Sequence, residues 1–273
     1  MYPLSEYVKS GKTAEEDFVK MLNMKKTSNV WKSLSKDDPQ TLFAIRVITK
    51  KFSNIHEKKI SCKSDVFIAK GKINSTTLKE KRFFLNENDV QELKLTPEIG
   101  TGISIKKPDA TAIQWQKLGI KGVEKFFGYT ELGAGVSLYR QKGANHNSVE
   151  YSLAQNELIV TKWCGGWERF EKFFSKINEV ELLKNKQVDP DKRCDIAKKV
   201  VKFANDTMMK MIDSSNTMQQ KIFWGREVFE EPFCASWVYE NGSLQSTKDY
   251  FPKYAITTGN SRTENFNIAI KGA

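Results

Sequence analysis

Histidine is nearly missing from this chain. His56 and His146 are the only two in 273 residues, too few for a histidine-rich metal site or a Cys/His or Ser/His nucleophile pair. The four cysteines stand far apart at Cys62, Cys164, Cys194 and Cys234. With no Cys-x-x-Cys and no zinc spacing, a zinc ribbon and a disulfide framework are excluded, and reduced thiols in a cytoplasmic protein are expected. No apolar run approaches the roughly 18 residues of a membrane span. Met1–Glu6 has no basic stretch leading into an apolar one, so no signal peptide is expected. Ser10-Gly11-Lys12-Thr13 has the end of a phosphate-binding loop but not its start: Glu6 occupies the place of the first glycine, so nucleotide binding there is excluded.

Acidic residues are also the minority. Lys and Arg number 44 against 33 Asp and Glu, a net charge of +11 with a pI near 9.3. A charge of this sign and size favours a polyanionic partner through phosphate contacts and counterion release. With 39% apolar residues, 17 Phe and 6 Trp, the chain has enough material for a packed core.

Two short apolar runs each carry one chemically useful side chain. Lys63-Ser64-Asp65-Val66-Phe67-Ile68-Ala69 reads as a strand opening on a carboxylate. Gly102-Ile103-Ser104-Ile105-Lys106-Lys107-Pro108 reads as a strand carrying a lysine. A lysine on a buried strand is either paired or functional. A carboxylate and a lysine on successive strands suit metal-dependent phosphodiester hydrolysis: Asp65 holds the cation, and Lys106 orients or activates the attacking water. Ser104 shares the face of Lys106 by strand alternation, either touching a metal-bound water or packing. Pro108-Asp109 is a literal Pro-Asp, but the acid-x-Lys candidate downstream, Glu157-Leu158-Ile159, ends in Ile rather than Lys. Asp109 therefore reads as the cap of a following helix.

The pattern predicts helices over 13–23 (Thr13 as N-cap, Glu16 closing a capping box), 39–52, 110–127, 167–183 and 190–212. It predicts strands at 60–69, 82–85, 102–107, 158–163, 236–239 and 254–256, a helical turn at 86–93, and a loop over glycine-dense 128–135. On the first helix Glu15 lies towards the apolar face of Ala14, Phe18, Met21 and Leu22. It either reaches a site or is a solvated first-turn acid. The expected architecture is α/β, a central mixed sheet of about five strands flanked by helices, with further helical and β elements in the C-terminal half. One domain spans 1–273, with 1–127 as a catalytic core and 128–273 completing a recognition cleft.

Ser64-Asp65-Val66-Phe67-Ile68 and Ser104-Ile105-Lys106 resemble the two motif strands of the PD-(D/E)xK nucleases, and within them the type II restriction endonucleases. A serine stands where that family usually has Asp or Glu. Ser10–Phe18 resembles the family's N-terminal helix with its acid, and Thr257–Gly272 resembles a terminal hairpin of several restriction enzymes. The resemblance spans about the first 125 residues and the last 20. It implies Mg²⁺-dependent, sequence-specific cleavage of double-stranded DNA in a bacterial restriction system, with a homodimer matched to a palindromic target. Asp65, Ser104, Lys106 and Glu15 are then the catalytic set, with Asp65 and Glu15 on the metal. Base-reading side chains are sought at Arg140, Gln141, Lys142, Asn145 and Asn147, and at the hairpin tip in Asn260, Ser261 and Arg262. A repair or transposition nuclease and a non-catalytic DNA-binding protein remain as alternatives.

Overall fold

The computed structural model describes residues 11–34, 38–55, 59–106, 114–138, 140–142, 149–260 and 266–272. In chain order the helices are α1 (Gly11–Met24), α2 (Asn29–Leu34), α3 (Ser75–Glu80), α4 (Glu87–Glu92), α5 (Ile120–Phe127), α6 (Thr130–Ser137), α7 (Leu153–Cys164), α8 (Trp167–Phe173), α9 (Pro190–Asp213) and α10 (Asn216–Gln219). The strands are β1 (Leu42–Arg46), β2 (Val66–Lys70), β3 (Thr96–Pro97), β4 (Ile103–Lys106), β5 (Gln114–Gly119), β6 (Arg140–Lys142), β7 (Val149–Tyr151), β8 (Trp237–Glu240), β9 (Ser243–Ser246), β10 (Tyr254–Asn260) and β11 (Asn267–Gly272). The protein is mixed α/β, with a mixed central sheet flanked by helices.

The chain divides into two compact units, each made of two segments: Met1–Thr111 with Gln220–Pro252, and Ala112–Gln219 with Lys253–Ala273. The sequence reading grouped 1–127 as one region; β5 and α5 instead belong to the second unit.

The first unit holds the sheet β1-β2-β4-β8-β9, with β3 also on β2. β1, β2 and β4 run antiparallel in turn, and β8 lies parallel to β4. Both faces are covered. Leu42, Ala44, Val66, Ile68 and Ile103 pack with Phe18, Val19 and Leu22 of α1 and with Trp31 of α2. Phe43, Ile45, Phe67 and Ala69 pack on the other side with Leu78, Leu85 and Leu95. Burying each Val, Leu, Ile or Phe side chain among these contributes about 1.5–3 kcal/mol. Asn23 seals the outer edge of β1: its Oδ1 accepts from Ala44 N at 2.8 Å and its Nδ2 donates to Ala44 O at 3.0 Å.

This double burial corrects the helix expected over 39–52. Pro39–Thr41 is one 3-10 turn capped by Asp38, and Leu42–Arg46 is a strand buried at all five positions. A strand covered on both faces has no alternation to read. Arg82–Leu85 is not a strand: Arg82 and Phe83 have φ of 52° and 60°, which no strand accommodates. The helical turn after it is present as α4. Asn86 accepts from Asn88 N and Asp89 closes the capping box back to Asn86 N at 2.7 Å. Thr13 lies inside α1 rather than at its cap, because the helix starts at Gly11.

In the second unit β10, β11 and β5 form an antiparallel sheet. Where a broken helix was expected over 110–127, 114–119 is a strand and only 120–127 is helical. The glycine-dense stretch is the buried helix α6 rather than a loop. A Cβ on Gly133 would stand 2.2 Å from the Trp163 ring, and one on Gly135 would stand 2.7 Å from Phe174, so the glycines serve close helix packing. Residues 158–163 are helical, not extended. Ile159, Val160, Trp163 and Cys164 are buried at helical spacing along α7, with Gly165 as its left-handed C-cap. The helix expected over 167–183 is α8 followed by a 3-10 turn at Val180–Lys184. α9 follows its local signals: Asp189 caps Asp191 N at 2.9 Å and Pro190 is the first helical residue. Among the described residues no helix is long and apolar enough to cross a membrane.

Candidate active site

The strand directions of the first unit bring four ends together. β1 finishes at Arg46, β2 begins just after Asp65, β4 finishes at Lys106 and β8 finishes at Glu240. With β2 antiparallel to its neighbours and β8 parallel to β4, all four charged residues fall at one end of the sheet.

Asp65 is held by main-chain bonds on both sides. Its N–H donates to Ile103 O at 2.8 Å, and its carbonyl accepts from Val47 N at 2.9 Å. The ladder between β2 and β4 stops at Val66 and Ile103. Beyond it the Asp65 side chain takes over: Oδ2 accepts the Ile105 N–H at 2.7 Å. The carboxylate is thereby bonded to the residue between Ser104 and Lys106. Because Val66 and Ile103 face α1, alternation turns Asp65, Ser104 and Lys106 to the opposite face.

The electrostatics are those of a crowded, low-dielectric site. Burial raises the Asp65 carboxyl to about 6, against the stabilising pull of Lys106 and the Ile105 N–H, with Glu15 pushing the same way as burial. Burial holds Lys106 below the usual lysine range, while Asp65 and Glu240 pull the other way. Lys106 and Glu240 are register partners on β4 and β8, and Tyr250 donates to Glu240 at 3.2 Å. Ser104 is 4% exposed. An acid in that place would be out of water and would need a cation beside it.

Glu15 lies on the α1 side of the sheet. Its Oε2 accepts from Arg46 Nε at 2.8 Å and pairs with Arg46 NH2 at 2.8 Å. Glu16, expected to close a capping box, instead contacts Arg46 NH1 at 3.2 Å. The carboxylate assigned from sequence to a metal is thus engaged by an arginine, close enough to Asp65 to act on it through charge.

Three members of this end were not found from sequence. Arg46 was hidden by the incorrect helix. Glu240 closes a strand whose parallel pairing no local signal reveals. Lys63 stands two residues before Asp65, and a second lysine beside the motif acid was the available clue. Burial, with the charge of Lys106, lowers Lys63 to about 7.

Of the base-reading candidates, Arg140, Gln141 and Lys142 fall on β6 and Asn260 ends β10. Asn145, Asn147, Ser261 and Arg262 lie outside the described residues, as do Pro108, Asp109, His56 and His146. None of the four cysteines is in a disulfide. Among the described residues no three His, Cys, Asp or Glu side chains come together as a metal-binding group. Comparison with protein families, with curated proteins and with solved structures finds no match.

Proposed function

We propose that this protein is a Mg²⁺-dependent endonuclease that cuts double-stranded DNA at specific sequences, in the manner of a type II restriction enzyme. The observation that carries the reading is the junction of β2 and β4, where the Asp65 carboxylate is bonded to Ile105 N beside Lys106. A carboxylate and a lysine of lowered basicity, side by side in a basic protein, are what phosphodiester hydrolysis needs.

The residues fit a magnesium ion. Asp65 is an anion that burial destabilises, and a divalent cation beside it would restore its charged form. Mg²⁺ binds through one or two carboxylates and fills its remaining positions with water and phosphate oxygens, so a small protein ligand set suffices. Asp65 would hold the ion, which when bound polarises the phosphate and lowers the pKa of water. Lys106 positions the attacking water on the same face and, with its basicity lowered by burial, is suited to take the water's proton. Arg46, fixed by Glu15 and Glu16, sets the field behind Asp65. A palindromic target would call for a twofold dimer.

One observation favours a second reading. The buried Ser104 stands where the nuclease pattern carries an acid, which suits a DNA-binding protein that has lost catalysis. Incubation with a large phage DNA, with Mg²⁺ or with EDTA, separates the readings. Discrete bands that vanish in EDTA support the nuclease. A metal-dependent smear favours a non-specific nuclease. Intact DNA with retained binding favours the non-catalytic protein.

A further inference from the structure

We infer that the connection between β1 and β2 is a DNA-gripping hairpin, in which the Phe52 ring packs against bases and Lys50 and Lys59 pair with the phosphates beside it. The inference rests on the proposed function and deepens it by naming a duplex contact outside the motif strands. β1 ends at Arg46 and β2 begins just after Asp65, so the connection over 47–64 leaves and re-enters the sheet at the end that carries the candidate site. Its described residues include Lys50, Lys51, Lys59 and Lys63 and no Asp or Glu.

The hairpin is pinned at its base. Lys51 and Ile60 exchange main-chain bonds of 2.9 and 2.8 Å. The Lys51 side chain turns inward, with Nζ 4.4 Å from the Phe233 ring centroid and 3.4 Å from Glu87 Oε1. On the outgoing limb Asn54 N donates to Val228 O at 3.1 Å, and Asn54 Nδ2 donates to Glu227 O at 3.0 Å. The returning limb lies on the same segment after α10. Lys63 N and Ser64 N both donate to Phe233 O at 3.2 Å. Gly225, with φ of +72°, leaves the Lys63 stem its path, since a Cβ there would stand 2.7 Å from Lys63 Cγ.

With Lys51 turned inward, alternation turns the next pair across the hairpin, Phe52 and Lys59, outward. Phe52 is 68% exposed, and Lys59 Nζ stands 5.2 Å from its ring centroid. Lys50 and Ile48 on the same limb are exposed as well. A single exposed ring is ordinary on a protein surface. This one is held outward by a fixed hairpin, beside an ammonium group, at the end of the sheet that carries Asp65, in a chain of net charge +11. A nucleotide matches both halves: the base offers the ring an apolar face, and the phosphate offers the lysines an anion. An apolar protein surface would satisfy the ring but not the lysines.

The test uses the full chain and a fluorescent DNA duplex of mixed sequence, in EDTA, with affinity measured against salt concentration. Phe52→Ala should weaken binding about tenfold without changing the salt slope, and Phe52→Tyr should stay near wild type. Lys50→Gln and Lys59→Gln should each lower the slope of log affinity against log salt by about one. All four positions of substitution are on the surface, so thermal unfolding should match wild type; Phe52→Gln is a second variant should Phe52→Ala melt early. A purely structural ring would change melting and leave affinity alone. Wild-type affinity in Phe52→Ala, or wild-type slopes in both lysine variants, overturns the hairpin's role. If the wild-type protein binds but never cuts, the nuclease reading fails while the same comparison still decides the hairpin. A wild-type protein that binds no duplex overturns both, and Phe52-dependent binding to phosphatidylserine vesicles would then make a lipid surface the partner.

Discussion

Arg46 and Glu15 meet through two contacts of 2.8 Å each, one from Nε and one from NH2 of the guanidinium to the same carboxylate oxygen. Their side chains are 11% and 23% exposed, so the pair is largely withdrawn from water. It ties α1 to the end of β1, one strand away from Asp65. Glu15→Gln leaves Arg46 with Glu16 alone, and a stability loss of about 1–3 kcal/mol is expected. The urea midpoint checks it. The Mg²⁺ concentration for half-maximal cleavage should stay nearly unchanged; a large rise would make Glu15 a metal ligand instead.

Asp65→Asn keeps a side-chain oxygen to accept the Ile105 N–H but removes the charge that would hold a cation. Lys106→Met keeps the stem without the amine. Each should reduce cleavage by about 10³-fold while metal-free DNA binding persists. Single-turnover assays on a plasmid with a mapped site measure this. Retained cutting in both variants would remove these residues from the chemistry.

Asp65 also makes stability depend on pH. Its folded-state pKa is about 6 against an ordinary 3.8, so between those values the folded protein binds more protons than the unfolded one. Stability is therefore highest below the lower value and falls as pH rises through the window, by about 2–3 kcal/mol in total. Lys63 acts in the opposite sense. Lowered from 10.5 to about 7, it makes stability rise with pH between those values. Urea unfolding in EDTA at several pH values should show both slopes. Asp65→Asn should flatten the acidic one and Lys63→Met should flatten the alkaline one, to which buried Lys26 and Lys106 contribute in the same sense; unchanged slopes in the variants would contradict the assignment.

Gly102 sets the position of β4. Its carbonyl accepts from Ser236 N at 2.7 Å and Trp237 N at 3.0 Å. A Cβ there would stand 2.0 Å from Cys234 O and 2.7 Å from Pro232 O. Main-chain atoms on both counts cannot swing aside, so Gly102→Ala should cost about 3 kcal/mol and reduce activity with it. Thermal unfolding gives the answer, and a variant with wild-type melting would mean that β4 and β8 can separate without loss.

Some of this was legible in short stretches of chain. Asp65 at a strand start and Lys106 on the next motif strand follow from brief apolar runs with one polar interruption each. α9 follows from Asp189-Pro190 and its heptad-scale apolar spacing, and α4 follows from the Asn86–Asp89 box. In each case the signal lies within a few residues of the element it specifies. The errors share the opposite cause. Leu42–Ile45, Leu158–Val160 and the glycines of α6 take their conformations from what covers them: two layers of side chains in the first case, a buried stripe in the second, close helix contact in the third.

By itself the sequence determined the charge that favours a polyanion, the mixed α/β character, and the placing of an acid and a lysine on two short apolar strands. Those depend on composition and on local pattern. Only the tertiary structure decided that Arg46, Lys63, Asp65, Lys106 and Glu240 share one end of a sheet, that Glu15 is held by Arg46, and that Gly225 leaves room for the Lys63 stem. These follow from strand order, direction and register, which arise from contacts between residues up to about two hundred positions apart, and no short window of sequence contains them.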